Sequence, residues 1–297
     1  QAGDITMFNG VQINYNQSTT GERTLTLNAT NSVRSDVDVT IAAAGADRKL
    51  NVVFNADAEN GGLATGGGQV SYSGNIYSNG GDVTVRGAAA NPAAGVSVRL
   101  NGQTIDTRGG NTQVVDIDDP ARFANSGGSD AQAGGNVAIT GRTIFSTPFN
   151  SYDGVVIEGT SIRSGSGDID IFGSADGGSG VVIQATQGVG GLFSTTGNIN
   201  VTGVGGYSAS SAYSPGYGVV IGAPPFNAAG QPRISSVDGN ITVRGLRQAG
   251  EGTGFGSGPG AGVRVGGNAQ ITTTGRGDIE ITGEMQGRGA GVELAPT

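Results

Sequence analysis

The densest carboxylate group in this chain is Asp116-Ile117-Asp118-Asp119, and clustered carboxylate oxygens are the ligands a calcium ion takes. Calcium requires roughly six to eight oxygens, which an EF-hand supplies at fixed spacing around a glycine and a closing glutamate. That spacing is missing, and so is the repeated nonapeptide GGxGxDxUx of calcium-binding β-rolls. The segment reads as a solvated acidic loop ending at Pro120. A second pair, Asp168 and Asp170, lies two residues apart in one short strand. Two carboxyl groups about 5–9.5 Å apart are what glycoside hydrolysis needs. The same two positions elsewhere hold Asn198/Asn200, Asn240/Thr242 and Asp278/Glu280. The pair is therefore one row of a variable outward column, and no catalytic, cofactor-binding or metal-ligating residue is assigned.

Missing residue types narrow the chemistry further. Cysteine is absent, which excludes disulfides, thiolate zinc sites and thiol nucleophiles. Histidine is absent too, removing the commonest general base and the usual Ser-His-Asp arrangement. A net charge of −8 and fifteen arginines spread singly argue against nucleic acid, whose phosphates demand clustered cations. Tryptophan is absent and the tyrosines fall mostly in loops, which weakens a sugar-stacking groove. The outward mid-strand column runs Thr84, Ala138, Asp170, Asn200, Thr242, Glu280, so it is no threonine ladder of the ice-binding kind.

What positions these residues is a repeat. The segment Gly-[Asp/Asn]-Val/Ile-x-Val/Ile-x-Gly occurs six times, at Gly81–Gly87, Gly135–Gly141, Gly167–Gly173, Gly197–Gly203, Gly239–Gly245 and Gly277–Gly283. Each copy alternates β-branched and other residues with period two and is bounded by glycine, which predicts a strand. A second element, Gly-Val-x-Val/Ile/Leu, follows at Gly95–Val98, Gly154–Ile157, Gly180–Ile183, Gly218–Ile221, Gly262–Val265 and Gly291–Leu294. A looser third strand centres on Ile105, Ile162, Leu192 or Phe193, Ile234 and Ile271. Three short strands recurring in one order describe triangular coils. One turn takes 26 residues from Gly154 to Gly180, 38 from Gly180 to Gly218 and 44 from Gly218 to Gly262. The excess falls in the stretches Val204–Tyr217, Ala223–Arg233 and Gly250–Ala261. Loops lengthen while strands do not, as in a fixed core carrying surface insertions.

The expected fold is all-β, a right-handed three-sided parallel β-helix, since crossovers between parallel strands favour that hand. It forms one domain over residues 1–297, with less regular coils in 1–80 and regular coils with glycine-rich insertions in 81–297. Glycine supplies 58 of 297 residues without a collagen period. Roughly ten coils of about thirty residues would give a body on the order of 50 Å long. No apolar run approaches the roughly 18 residues of a membrane helix, and no signal peptide opens the chain, so a mature or interior piece of a longer protein is expected.

Two columns carry specific expectations. The strand-leading position is always Asp or Asn, at Asp82, Asn136, Asp168, Asn198, Asn240 and Asp278. A short side chain of this type can bond backbone N–H groups at the turn, and Asn amides can ladder between coils, so the column reads as structural. The outward residue of the second element reads Ser97, Val156, Val182, Val220, Arg264, Glu293. Its three valines would form an apolar stripe, for which the Tyr207–Tyr217 insertion is the expected cover rather than another molecule.

The stretch from Thr24 to Gly87 contains TLTLNAT, VDVTIAA, KLNVVFNADAENGG and GNIYSNGGDVTVRG. It resembles the passenger region of exoproteins of the filamentous-haemagglutinin type, exported by two-partner secretion. The matching features are the LNV-x-LN-[AS]-D segment, here Leu50–Asp57, and I-x-[ST]-NGG-[DN]-[IV], here Ile76–Val83. The later coils, such as Gly154–Gly173, are similar to that family's repeats. The family's secretion domain with its Asn-Pro-Asn motifs is not visible, and Asn91-Pro92 alone does not supply it. Neither a toxin nor an anchoring module is visible. The resemblance implies a right-handed β-helix, a secreted or bacterial cell-surface location and an outer-membrane secretion partner during export. It also implies adhesion, aggregation, biofilm formation or contact-dependent toxin delivery.

These features lead us to expect a non-enzymatic extracellular adhesin, a rigid rod whose loops contact a host-cell or matrix surface through protein or glycan. Alternatives are a filament subunit stacking end to end and a β-helix polysaccharide lyase or hydrolase, and homotypic self-association, end to end or lateral, is a further expected contact. No cofactor, nucleic acid or membrane span enters the expectation. If Asp116–Asp119 binds no structural calcium, EDTA leaves the thermal transition unchanged; a fall of several degrees, restored by calcium, would establish the site.

Overall fold

A computed structural model describes residues 3–15, 21–45, 47–56, 68–90, 96–110, 133–144, 153–185, 188–206, 216–222, 230–248, 260–266, 268–287 and 289–295. Among these residues every regular element is a strand, and the strands form three parallel sheets of nine, eight and eight members. The first sheet runs from Ile5–Met7 to Gly289–Leu294, the second from Gln12–Tyr15 to Gln270–Thr273 and the third from Gly21–Ala29 to Ile279–Met285. Each strand pairs with its equivalent one coil away and the chain visits the sheets in rotation, which makes a three-sided parallel β-helix. Asp116–Asp119 and residues 207–215 lie outside the described residues.

The repeat pattern places the core directly. Ile169 pairs with Ile199 and Ile171 with Val201, all 2% exposed or less. Below them Val137 and Ile139 continue the same two columns, and above them Ile241 and Val243. In the second sheet the column is Ile41, Ile76, Ile105, Ile162, Leu192, Ile234 and Ile271, so Leu192 rather than Phe193 points inward. β-Branched side chains stacked at the inter-strand spacing of about 4.8 Å fill a thin interior without helices.

Glycine does its work where sheets meet. A Cβ built on Gly135, Gly167, Gly197, Gly239 or Gly277 would lie 1.9–2.1 Å from the carbonyl oxygen of the glycine one coil earlier. The closing glycines of the motif, at 141, 173, 203, 245 and 283, face a second glycine column at 154, 180, 218, 262 and 291, with built Cβ-to-carbonyl distances of 1.7–2.2 Å. Backbone packs on backbone there, so the motif begins and ends in glycine because nothing larger fits.

Two readings need correction. Ser97 is not the outward residue of its strand. Val98 pairs with Val155 and Arg99 with Val156, which moves the register by two residues and gives Arg99 the outward place. Ser97 instead falls in the glycine column beside Gly154, is fully buried, and its carbonyl packs where a Gly87 Cβ would sit, 2.6 Å away. The coil number is also smaller than expected: among the described residues there are eight complete three-strand coils and one further strand. Eight steps of about 4.8 Å give a body on the order of 40 Å. Strands before residue 80 enter the same three sheets. Gly21–Ala29 and Arg48–Ala56 pair over nine residues in the third sheet, continuous with Val83–Ala90.

This packing predicts that Ile171→Asp, which buries an unpaired carboxylate, and Gly197→Ala, which forces two coils apart, each cost about 3 kcal/mol or more. Asp170→Ala, on the outer face, should cost about 0.5 kcal/mol. Thermal and urea melts followed by circular dichroism check all three; a wild-type melt for Gly197→Ala would mean that this corner is not closely stacked.

Candidate functional site

The Asx column works as a chain of inter-coil bonds. Oδ1 of Asn51, Asp82, Asn136, Asp168, Asn198 and Asn240 accepts the backbone N–H of Asp82, Asn136, Asp168, Asn198, Asn240 and Asp278 respectively, at 2.7–3.0 Å. The link is side chain to backbone, not amide to amide, and it includes Asn51, which lies outside the six-copy motif. Next to it runs a column of buried hydroxyls that the repeat pattern did not reveal. Ser78 donates to the Gly81 carbonyl, Thr107 to that of Gly135 at 2.6 Å, and Ser194 to those of Gly165 and Gly197 at 2.9 and 2.7 Å.

Asp168 and Asp170 are therefore both engaged. Asp168 holds the amide of Asn198 at 2.7 Å, and Oδ1 of Asp170 accepts from Nδ2 of Asn200 at 2.8 Å. Among the described residues no group of three or more His, Cys, Asp or Glu side chains is placed to hold a metal ion, and no helix is long and apolar enough to cross a membrane.

The outer face of the third sheet carries two columns. The first is the expected Thr84, Ala138, Asp170, Asn200, Thr242, Glu280. The second reads Arg86, Thr140, Phe172, Thr202, Arg244, Thr282. Phe172 had no place in the sequence reading, which weighed tryptophan and tyrosine alone; its position two residues beyond Asp170 in an alternating strand marks it as outward. The ring is 41% exposed. A shallow depression surrounds it, lined by Ala138, Thr140, Asp170, Asn200 and Thr202. Arg244 and Glu280 pair at 3.4 Å further along, both more than half exposed, where such a pair contributes little.

The first sheet presents a different face. Arg99 meets Glu158 at 3.0 Å at one end of the valine stripe, and Arg264 meets Glu293 at 3.5 Å at the other. Val156 and Val220 are 3% and 5% exposed, so the chain covers them itself, and Tyr217 lies under the Arg264 guanidinium at 5.7 Å. Close by, Asp153 accepts the Ser179 amide at 2.8 Å. Burial pushes its carboxyl up to about 6, although the Ser179 hydrogen bond and the Arg99 charge pull the other way.

Comparison with protein-family models, curated proteins and solved structures finds no match.

Asp153 gives a pH prediction with a definite sign. Its folded value lies above the ordinary carboxyl value near 3.9, so the folded state holds the proton more tightly and stability falls as pH rises from about 4 through about 6. Asp153→Asn keeps an acceptor for Ser179 and removes the ionisation. It should raise stability by about 1–3 kcal/mol at pH 7.5 and have little effect at pH 4. Paired Tm measurements at the two pH values check this; equal shifts at both would contradict it.

Proposed function

We propose that this chain is a non-enzymatic extracellular rod that presents its outer faces for attachment to a cell or matrix surface. The observation supporting it most directly is the fate of Asp168 and Asp170. That carboxylate pair, two residues apart in one strand, is tied into bonds between coils. Interior positions are apolar and repetitive, whereas the outer columns change from coil to coil between charged, polar, small and aromatic residues. A rigid backbone with variable outward side chains suits multivalent contact, where many weak sites on one body raise overall avidity. The resemblance of Leu50–Asp57 and Ile76–Val83 to filamentous-haemagglutinin-type passengers points the same way, including secretion to the bacterial surface.

Protein immobilised on beads should attach saturably to mammalian cells or extracellular matrix, and the soluble protein should compete. The same preparation should release no reducing ends or unsaturated products from a panel of acidic polysaccharides. Turnover on that panel, or attachment no greater than that of uncoated beads, would defeat the proposal.

A further inference from the structure

Among the described phenylalanines, Phe172 and Phe8 have rings that no other ring or cation covers, and Phe172 is the one set in a depression. Phe193, on the second sheet, carries the Arg163 guanidinium over its ring at 5.1 Å, and Phe54 packs against Tyr72 at 5.0 Å. Phe172 stacks on no ring or cation among the described residues, and its neighbours along the column are the small Thr140 and Thr202. Beside it Ala138 leaves the adjoining column low, which produces the depression. Two residues along the strand, roughly 6.6 Å away, Asp170 and Asn200 are joined by their 2.8 Å hydrogen bond. The second oxygen of Asp170 has no partner among the described residues.

An open aromatic face combined with planar acceptors and donors at one edge matches one ligand class well. A pyranose presents a face of C–H groups to an aromatic ring and hydroxyls around its rim, and a small concave site with a few convergent polar groups is how such ligands are held. We infer that the outer face of the third sheet around Phe172 binds a neutral saccharide. The ring would lie against the sugar's C–H face, Asp170 would accept a hydroxyl hydrogen, and Asn200, Thr140 and Thr202 would contact the remaining rim. Charge selects a neutral sugar: no lining residue is cationic, a carboxylate stands in the site, and the chain carries −8 overall. A protein partner would bury more apolar surface than one ring and one alanine offer. The inference rests on the attachment reading and names the chemistry of one contact.

The test is affinity electrophoresis of the purified protein in native gels containing laminarin, xylan, galactomannan or dextran, with hyaluronan and polygalacturonate as acidic comparisons. Retardation by at least one neutral polysaccharide is expected, weakened tenfold or more by Phe172→Ala and by Asp170→Ala. Phe172→Tyr should retain it. Phe8→Ala, which removes a phenylalanine 67% exposed at another corner, should change nothing. Melting curves for each variant separate loss of the site from loss of the fold; should Phe172→Ala fail to fold, Asp170→Ala and Phe172→Tyr carry the test. No retardation by any neutral polysaccharide, retardation by the acidic ones only, or equal retardation of the folded variants overturns the inference. If wild-type beads still attach to cells in those cases, attachment survives and only the saccharide site falls.

Discussion

The interaction on which this structure depends is the hydrogen bond from each strand-leading amide to the Asp or Asn side chain one coil below. From Asn51 to Asp278 it is repeated six times without a break. At each of these residues the backbone carbonyl accepts an amide of the preceding coil, as Asn198 does from Ile169 at 2.8 Å. Side chain and carbonyl together clamp both edges of one peptide to its neighbours. These bonds lie at exposed or half-buried corners, so each contributes about 0.5–1.5 kcal/mol, and their weight comes from repetition along the stack. The glycine preceding it has to be glycine, because the clamp draws the coils together until a Cβ on Gly197 would overlap the Gly167 carbonyl.

This clamp explains why one side of the coil is uniform and the other varied. Residues 81–83 and their equivalents fix register, and once register is fixed the inward residues must stack on their own kind. Ile169 lies between Val137 and Ile199, with no exposure. The outward residues are released from that duty. Arg99, Val156, Val182, Val220, Arg264 and Glu293 share one column, and the column turns charged at both ends of an apolar centre. Side chains can change there without touching the stack.

Most of the stack was legible in the sequence because one strand is copied six times, and alternation tells inward from outward. What escaped did so for physical reasons. Ser97 occupies a place that Gly154, Gly180 and Gly218 fill elsewhere, so the glycine at 95 lies two residues out of register with that column. The equivalent positions Val83 and Val137 are 54 residues apart, whereas Ile169 and Ile199 are 30 apart; long insertions therefore reduce the coil number below what a uniform period implies. Phe172 was missed for another reason. Its strand was read for carboxylates, and a lone phenylalanine in an alternating strand carries no periodic signal.

Amide hydrogen exchange at the strand-leading residues tests the central claim most directly. If side-chain bonds between coils hold the register, the backbone amides of Asn136, Asp168, Asn198 and Asn240 exchange as slowly as those of Ile169 and Ile199 in the core, although each lies at a corner beside a glycine. Exchange at the rate of an open turn, with the core amides still protected, would show that the coils are held by apolar stacking alone and that the clamp described here does not exist.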